Sequence, residues 1–200
     1  MQAIEGSWLS SGGFTWESSG RQFRYDNPAA DGRSVLVSGK GGPVVTVAGK
    51  SSKLFAHMTD TSFPPHLAGL VLLQRFQNPN SSFQFVGNET LAGRPVIHIR
   101  STLLEDAYSA AISTQDWYFD TSSLFPLRIE YRLPASGNAL LTIPATVDLA
   151  DYRNMNGIVI PFQISFSAGG QLGGVAKLSS INLNVSINPA DFDGPLGGTL

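Results

Sequence analysis

Leu127-Arg128-Ile129-Glu130-Tyr131-Arg132-Leu133 alternates apolar and charged residues without a break. Successive side chains of a strand point to opposite faces, so Leu127, Ile129, Tyr131 and Leu133 make an apolar face and Arg128, Glu130 and Arg132 a wet one. Just upstream, Trp117 and Phe119 alternate with Asp116, Tyr118 and Asp120. Residues 121–126 carry turn chemistry, so the two runs read as a hairpin. Strict alternation favours antiparallel pairing, because parallel strands covered on both faces read as continuous apolar runs.

The same period extends in both directions. Ile143, Ala145, Val147 and Leu149 share one face, and Ile158, Ile160, Phe162, Ile164 and Phe166 another, joined across Asn154, Asn156 and Gly157 as a second hairpin. Gly169, Gly170, Gly173 and Gly174 are expected to form a turn before a last half-buried strand over 178–187. Toward the N-terminus the signal is weaker but of the same kind. Five short strands are predicted there, around Phe14 and Trp16, around Phe23 and Tyr25, and over 33–38, 44–48 and 53–58. One segment departs from period two: after Pro64-Pro65, the residues His66, Leu67, Leu70, Val71, Leu73 and Gln74 follow helical spacing, which predicts a helix over 66–76. Proline suits a first helical turn because its missing N–H has no partner there. A second, weaker helix is expected over 103–112. The reading is a mainly β chain whose apolar sheet face needs a cover.

Two hundred residues suffice for one domain with a real core, burying roughly 70% of the surface of the unfolded chain. Charged residues are only 14% of the chain and the net charge is -2, with Lys and Arg scattered. Nucleic-acid binding needs clustered basic residues and is excluded. The longest apolar stretch, near 67–73, falls far short of the ~20 residues of a membrane-spanning helix, so no transmembrane segment is expected in this chain. With no cysteine, disulfides, thiolate metal sites, a cysteine nucleophile and a cysteine-linked lipid are all excluded.

Reactive constellations are sparse. His57, His66 and His98 lie in different segments without metal-ligand spacing, and His98 is placed on an outward face with Arg94, Val96 and Arg100. No Gly-x-Ser-x-Gly elbow occurs. Asp148 and Asp151 read as a strand end and turn, and Glu105-Asp106 as a loop feature. Gly39-Lys40-Gly41-Gly42 lacks the helix of a phosphate loop and reads as a hairpin turn. No metal, cofactor or catalytic residue is expected.

Four segments, in order, resemble the bacterial outer-membrane lipoprotein carrier and sorting superfamily (LolA/LolB/RseB-like). They are Gly87-Asn88-Glu89-Thr90-Leu91-Ala92-Gly93-Arg94-Pro95-Val96; the stretch 117–131 with Asp120, Leu124, Pro126, Arg128 and Ile129; Asp151-Tyr152-Arg153 through Gly157 to Pro161; and 181–192 with Asn184, Ile187 and Asp191-Phe192. The resemblance is clearest over 83–192. It implies a single domain over 1–200 in which one curved antiparallel sheet forms an unclosed half-barrel, lidded by one or two short helices.

What the resemblance implies functionally is a non-enzymatic, periplasmic or exported binding protein. It would hold a lipidic or hydrophobic ligand, such as a lipoprotein acyl chain, between sheet and helical lid. Any signal peptide is expected to be removed from, or absent in, this chain. The ligand-lining residues expected from inward alternation and the lid's apolar face are Leu70, Leu73, Phe83, Phe85, Ile97, Ile99, Trp117, Phe119, Ile129 and Tyr131. An envelope protein is the expected macromolecular partner. The alternative is an interaction or structural module whose core is filled by its own side chains and which takes no small molecule.

Overall fold

The computed structural model describes residues 2–8, 12–19, 22–29, 32–39, 42–53, 72, 75–104, 107–135 and 138–193. They form thirteen strands in antiparallel pairs with few short helices. Two compact units divide them, Met1–Thr59 with Gly174–Leu200, and Asp60–Gly173.

The second unit holds β7 (Ser81–Leu91), β8 (Arg94–Leu103), β9 (Gln115–Asp120), β10 (Pro126–Ala135), β11 (Asn138–Met155) and β12 (Ile158–Ala168). Spatial order follows chain order, and β7 does not pair with β12, so this sheet is open. Both expected hairpins form, Trp117 pairing with Ile129 in the first and Leu149 with Ile164 in the second. Tight turns set the registers. Ala92-Gly93 and Asn156-Gly157 each place two consecutive residues at positive φ, the geometry whose twist matches that of the flanking strands. Asp120 ends β9 by accepting the amides of Ser122 and Ser123, which hold its carboxyl below the ordinary carboxylate range. That turn brings Leu124 to φ 59° and starts β10. The centre of its apolar face is Trp117, Ile129, Val147 and Ile164, all fully buried, and Val96 is fully buried on the other face. Each contributes about 1.5–3 kcal/mol of transfer free energy when buried.

The first unit holds β1 (Gln2–Trp8), β2 (Gly12–Ser19), β3 (Gln22–Ala29), β4 (Gly32–Gly39), β5 (Gly42–Val47), β6 (Lys50–Lys53) and, from Gly174 on, β13 (Gln171–Leu183). The order is β6-β5-β4-β3-β2-β1-β13, again unclosed. Period two puts Phe14 and Trp16 of β2 on one face with Phe23 and Tyr25 of β3; Trp16 stacks on Phe23 at 4.9 Å between ring centres. A 3₁₀ helix, Pro189–Phe192, is capped by the Asn188 side chain on the Ala190 amide and buries Phe192.

Several sequence expectations are corrected. A strand at Gln2–Trp8 precedes the five expected ones, because Gln2-Ala3-Ile4-Glu5 is long enough to pair with both β2 and β13. The strand expected over 53–58 is β6, which begins earlier, at Lys50; residues 54–58 lie outside the described chain. Gly173 and Gly174 belong to β13, not to the turn. A side chain at Gly173 would meet the Phe166 ring at 2.8 Å, so the glycine is there for close packing. The last strand ends at Leu183, leaving Val185 and Ile187 beyond it. Asp148 and Asp151 do not end a strand: β11 runs through both in unbroken register with β12, with Asp151 at φ 53°. Of the helix predicted over 66–76, Leu72 and residues 75–77 are described and are helical; the rest lies outside the described residues. The weaker helix forms as α1, Ala107–Ser113.

Candidate functional site

Pairing across β7 to β11 sorts the side chains of the second unit onto two faces of opposite character. The rows Phe85–Ile99–Trp117–Ile129–Val147 and Phe83–Ser101–Gln115–Tyr131–Ala145 lie on one face. The rows His98–Tyr118–Arg128–Asp148 and Arg100–Asp116–Glu130–Thr146 lie on the other. The division is the one that the alternation at 127–133 dictates.

The polar face is a ladder of paired charges. His98 Nδ1 lies 2.6 Å from Glu89 Oε1 and its Nε2 lies 2.8 Å from Asp116 Oδ1. Arg100 donates two hydrogen bonds to the same Asp116, at 2.8 and 3.1 Å. The Tyr118 ring stacks on His98 and its hydroxyl donates to Glu130, while Arg128 donates to Asp148 at 2.7 Å. Burial pulls the His98 pKa down, but the hydrogen bonds and charges of Glu89 and Asp116 together outweigh it, and the value is raised above that of free histidine. Asp116 is the mirror case. Burial pushes it up, while Arg100 and His98 bring it below the ordinary carboxylate range. Tyr118 is pushed up to about 12 by burial and by Glu130, Asp116 and Glu89. With both ring nitrogens of His98 engaged by carboxylates, this arrangement clamps three strands and leaves no lone pair poised for proton transfer. His98 does share its face with Arg94, Val96 and Arg100, but it is buried there, not outward in solvent. The missed signal was Glu89. The Ala92-Gly93 turn sets Glu89 opposite Val96 on the strand beside His98.

All eight described ligand candidates lie on the apolar face. Trp117, Ile129 and Tyr131 are buried, Phe83, Ile97, Ile99 and Phe119 half-buried, and Phe85 is 62% exposed. Leu70 and Leu73 lie outside the described residues. The face is therefore packed at its centre and open toward β7. A pocket of about 560 Å³ is lined by Arg100, Asp116, Glu130, Arg132 and Thr146, and of the candidates it includes Tyr131 alone.

The described end of the predicted lid helix docks on this apolar face. Phe76 stacks on Phe83 at 4.5 Å, and Arg75 donates from Nη1 to Ser101 Oγ (3.0 Å) and from Nη2 to the Ser113 carbonyl (2.6 Å). The second bond ties it to the last turn of α1, which lies against β8 and β10. Arg75 is buried and both of its acceptors are uncharged; burial lowers its pKa to about 10, so it remains a cation at neutral pH. Sequence reading passed over Arg75, since a single arginine inside a helical pattern is usually solvent-facing. Opposite Ala145, the Tyr131 hydroxyl is buried without a hydrogen-bond partner among the described residues.

No family model matches the chain, and no curated protein sequence matches it. Among solved structures it is similar to a DUF1329 family protein from Desulfovibrio piger, 12% identical, with a TM-score of 0.56 over 96% of this chain and 87% of that one. It is also similar to a domain described as an outer membrane lipoprotein-sorting protein, from Vibrio parahaemolyticus, at 10% identity, TM-score 0.49 and coverage of 96% and 87%. A LolA superfamily protein from Nitrosomonas europaea follows at 12%, 0.47, and coverage of 94% and 86%. The first likeness establishes a shared fold. At these identities none of the three transfers an activity.

Proposed function

We propose that this chain is a non-enzymatic binding protein of the cell envelope, periplasmic or exported, that holds a lipidic or hydrophobic ligand on the apolar face of β7 to β10 beneath its helical cover. One observation carries the reading: the eight described candidate residues share a single face, and the Phe76–Phe83 and Arg75–Ser101 contacts dock a helix on that same face. Burial is enough to hold such a ligand. At roughly 25 cal/mol per Å², an acyl chain covering a few hundred Å² gains several kcal/mol without a reacting group. The graded exposure from Phe85 to Trp117 supports a ligand that enters at the β7 side. Native mass spectrometry of the purified protein, with titration of a fluorescent fatty acid, tests it. Saturable binding is expected; no co-purified lipid together with no binding would sink the reading.

A second reading is favoured by a specific observation. Trp117 and Ile129 are completely buried, so the centre of the face is filled by the chain itself. On that reading the face is an ordinary core and an envelope protein partner binds elsewhere, for instance along the exposed β7 residues Gln84, Phe85 and Val86. The same titration separates the two, since a self-filled core gives no saturable fatty-acid binding.

A further inference from the structure

Arg75 is a buried cation with no opposite charge among the described residues. Arg94, Arg100, Arg128 and Arg153 each meet a carboxylate. Arg75 is more buried than any of these, yet its two hydrogen bonds end on a serine hydroxyl and a main-chain carbonyl. A guanidinium carries five N–H donors, so three have no partner among the described residues. Leaving a buried charge uncompensated is costly, which is why such groups are normally paired or mark a site that meets its counter-charge from outside. The position is specific as well. Ser101 belongs to the row Phe83–Ser101–Gln115–Tyr131, which brings hydrogen-bonding side chains into an otherwise apolar face. Further along that row, the Tyr131 hydroxyl is buried with a proton to donate and no acceptor among the described residues.

We infer that this row, with Arg75 at its head, recognises the anionic head group, carboxylate or phosphate, of a single-chain amphiphile whose tail lies over Phe85, Ile97 and Ile99. The inference rests on the carrier reading and deepens it, by assigning the ligand a charge. An anion takes the N–H groups that Ser101 and Ser113 leave unused, with Tyr131 as a neutral donor. A neutral lipid of equal length gains the same apolar burial but leaves the cation unanswered.

The test is competition against a neutral fluorescent naphthylamine probe by four ligands of one chain length: hexadecanoate, its methyl ester, hexadecyl phosphate and hexadecyltrimethylammonium. Wild-type protein should bind at least one of the two anions about tenfold or more tighter than the ester, the scale of one charge-assisted hydrogen bond. The trimethylammonium compound should bind more weakly than the ester. Whichever anion binds tighter identifies the head group as the fatty-acid or the phospholipid type. In Arg75→Met the anions should fall to the level of the ester, and Arg75→Lys should keep part of the preference. Equal binding of anions and ester by the wild type overturns the anchor but leaves the carrier, as does a preference that survives in Arg75→Met. If the probe and all four ligands fail to bind, the carrier reading falls and the anchor with it. The wild-type series decides the question even if Arg75→Met does not fold.

Discussion

The two faces of the second unit's sheet are built from the same strands and differ by one residue of register, yet they treat charge in opposite ways. On the polar face every buried or half-buried charge has a partner: His98 has two carboxylates, Asp116 has His98 and Arg100, and Arg128 has Asp148. On the apolar face the one buried cation, Arg75, has none among the described residues. Saturated pairs hold strands together and are finished. The unsaturated cation is where the proposed anion would complete the pairing.

Breaking the centre of the apolar face should cost most. Trp117→Ala removes the largest fully buried side chain and should lower the unfolding free energy by about 3–5 kcal/mol in urea denaturation. On the opposite face, His98→Ala leaves Glu89 and Asp116 facing a void where a shared donor stood, and about 2 kcal/mol should be lost in the same assay.

The clamp should also respond to pH with a defined sign. Because the folded pKa of His98 lies above its ordinary 6.5, its contribution is complete below that value and is lost as pH rises through the folded value. The depressed Asp116 contributes fully above its ordinary 3.8 and loses its contribution as pH falls through its folded value. The stability gap between wild type and His98→Gln should therefore be widest between about pH 4 and 6.5 and shrink above it. A gap that grew with pH would show that His98 is held neutral.

Arg75→Met sharpens the contrast. It removes an uncompensated cation but also two hydrogen bonds, so stability should change by less than about 1 kcal/mol, well below the loss at His98. A loss of several kcal/mol, with ligand binding intact, would mean that Arg75 is only a clamp like its counterparts on the polar face. The smallest effect is local: Ala92 sits at φ 48°, where Asn is better tolerated, and Ala92→Asn should stabilise by about 0.5 kcal/mol in thermal unfolding.

Period two made much of this legible from the residues. The alternation at 127–133 separated the faces, the Asn156-Gly157 turn announced the second hairpin, and the ligand candidates chosen by inward alternation lie on one face. What escaped lies where cross-strand partners, not neighbours in sequence, decide the outcome. The carboxylates around His98 come from two other strands, joined by a register that the sequence states only through Ala92-Gly93. Arg75 drew no notice in the sequence because its burial depends on α1 and β8, far along the chain. Gly173 read as turn chemistry, since nothing local reveals the Phe166 ring beside it.

The most direct test of a ligand on the apolar face is photo-crosslinking with a diazirine-bearing fatty acid, followed by peptide mass spectrometry. Label on Phe83, Phe85, Ile97 or Ile99, suppressed by excess hexadecanoate, is the predicted result. Label confined to the polar side, on His98, Arg100 or Glu130, or no competable label at all, would contradict it.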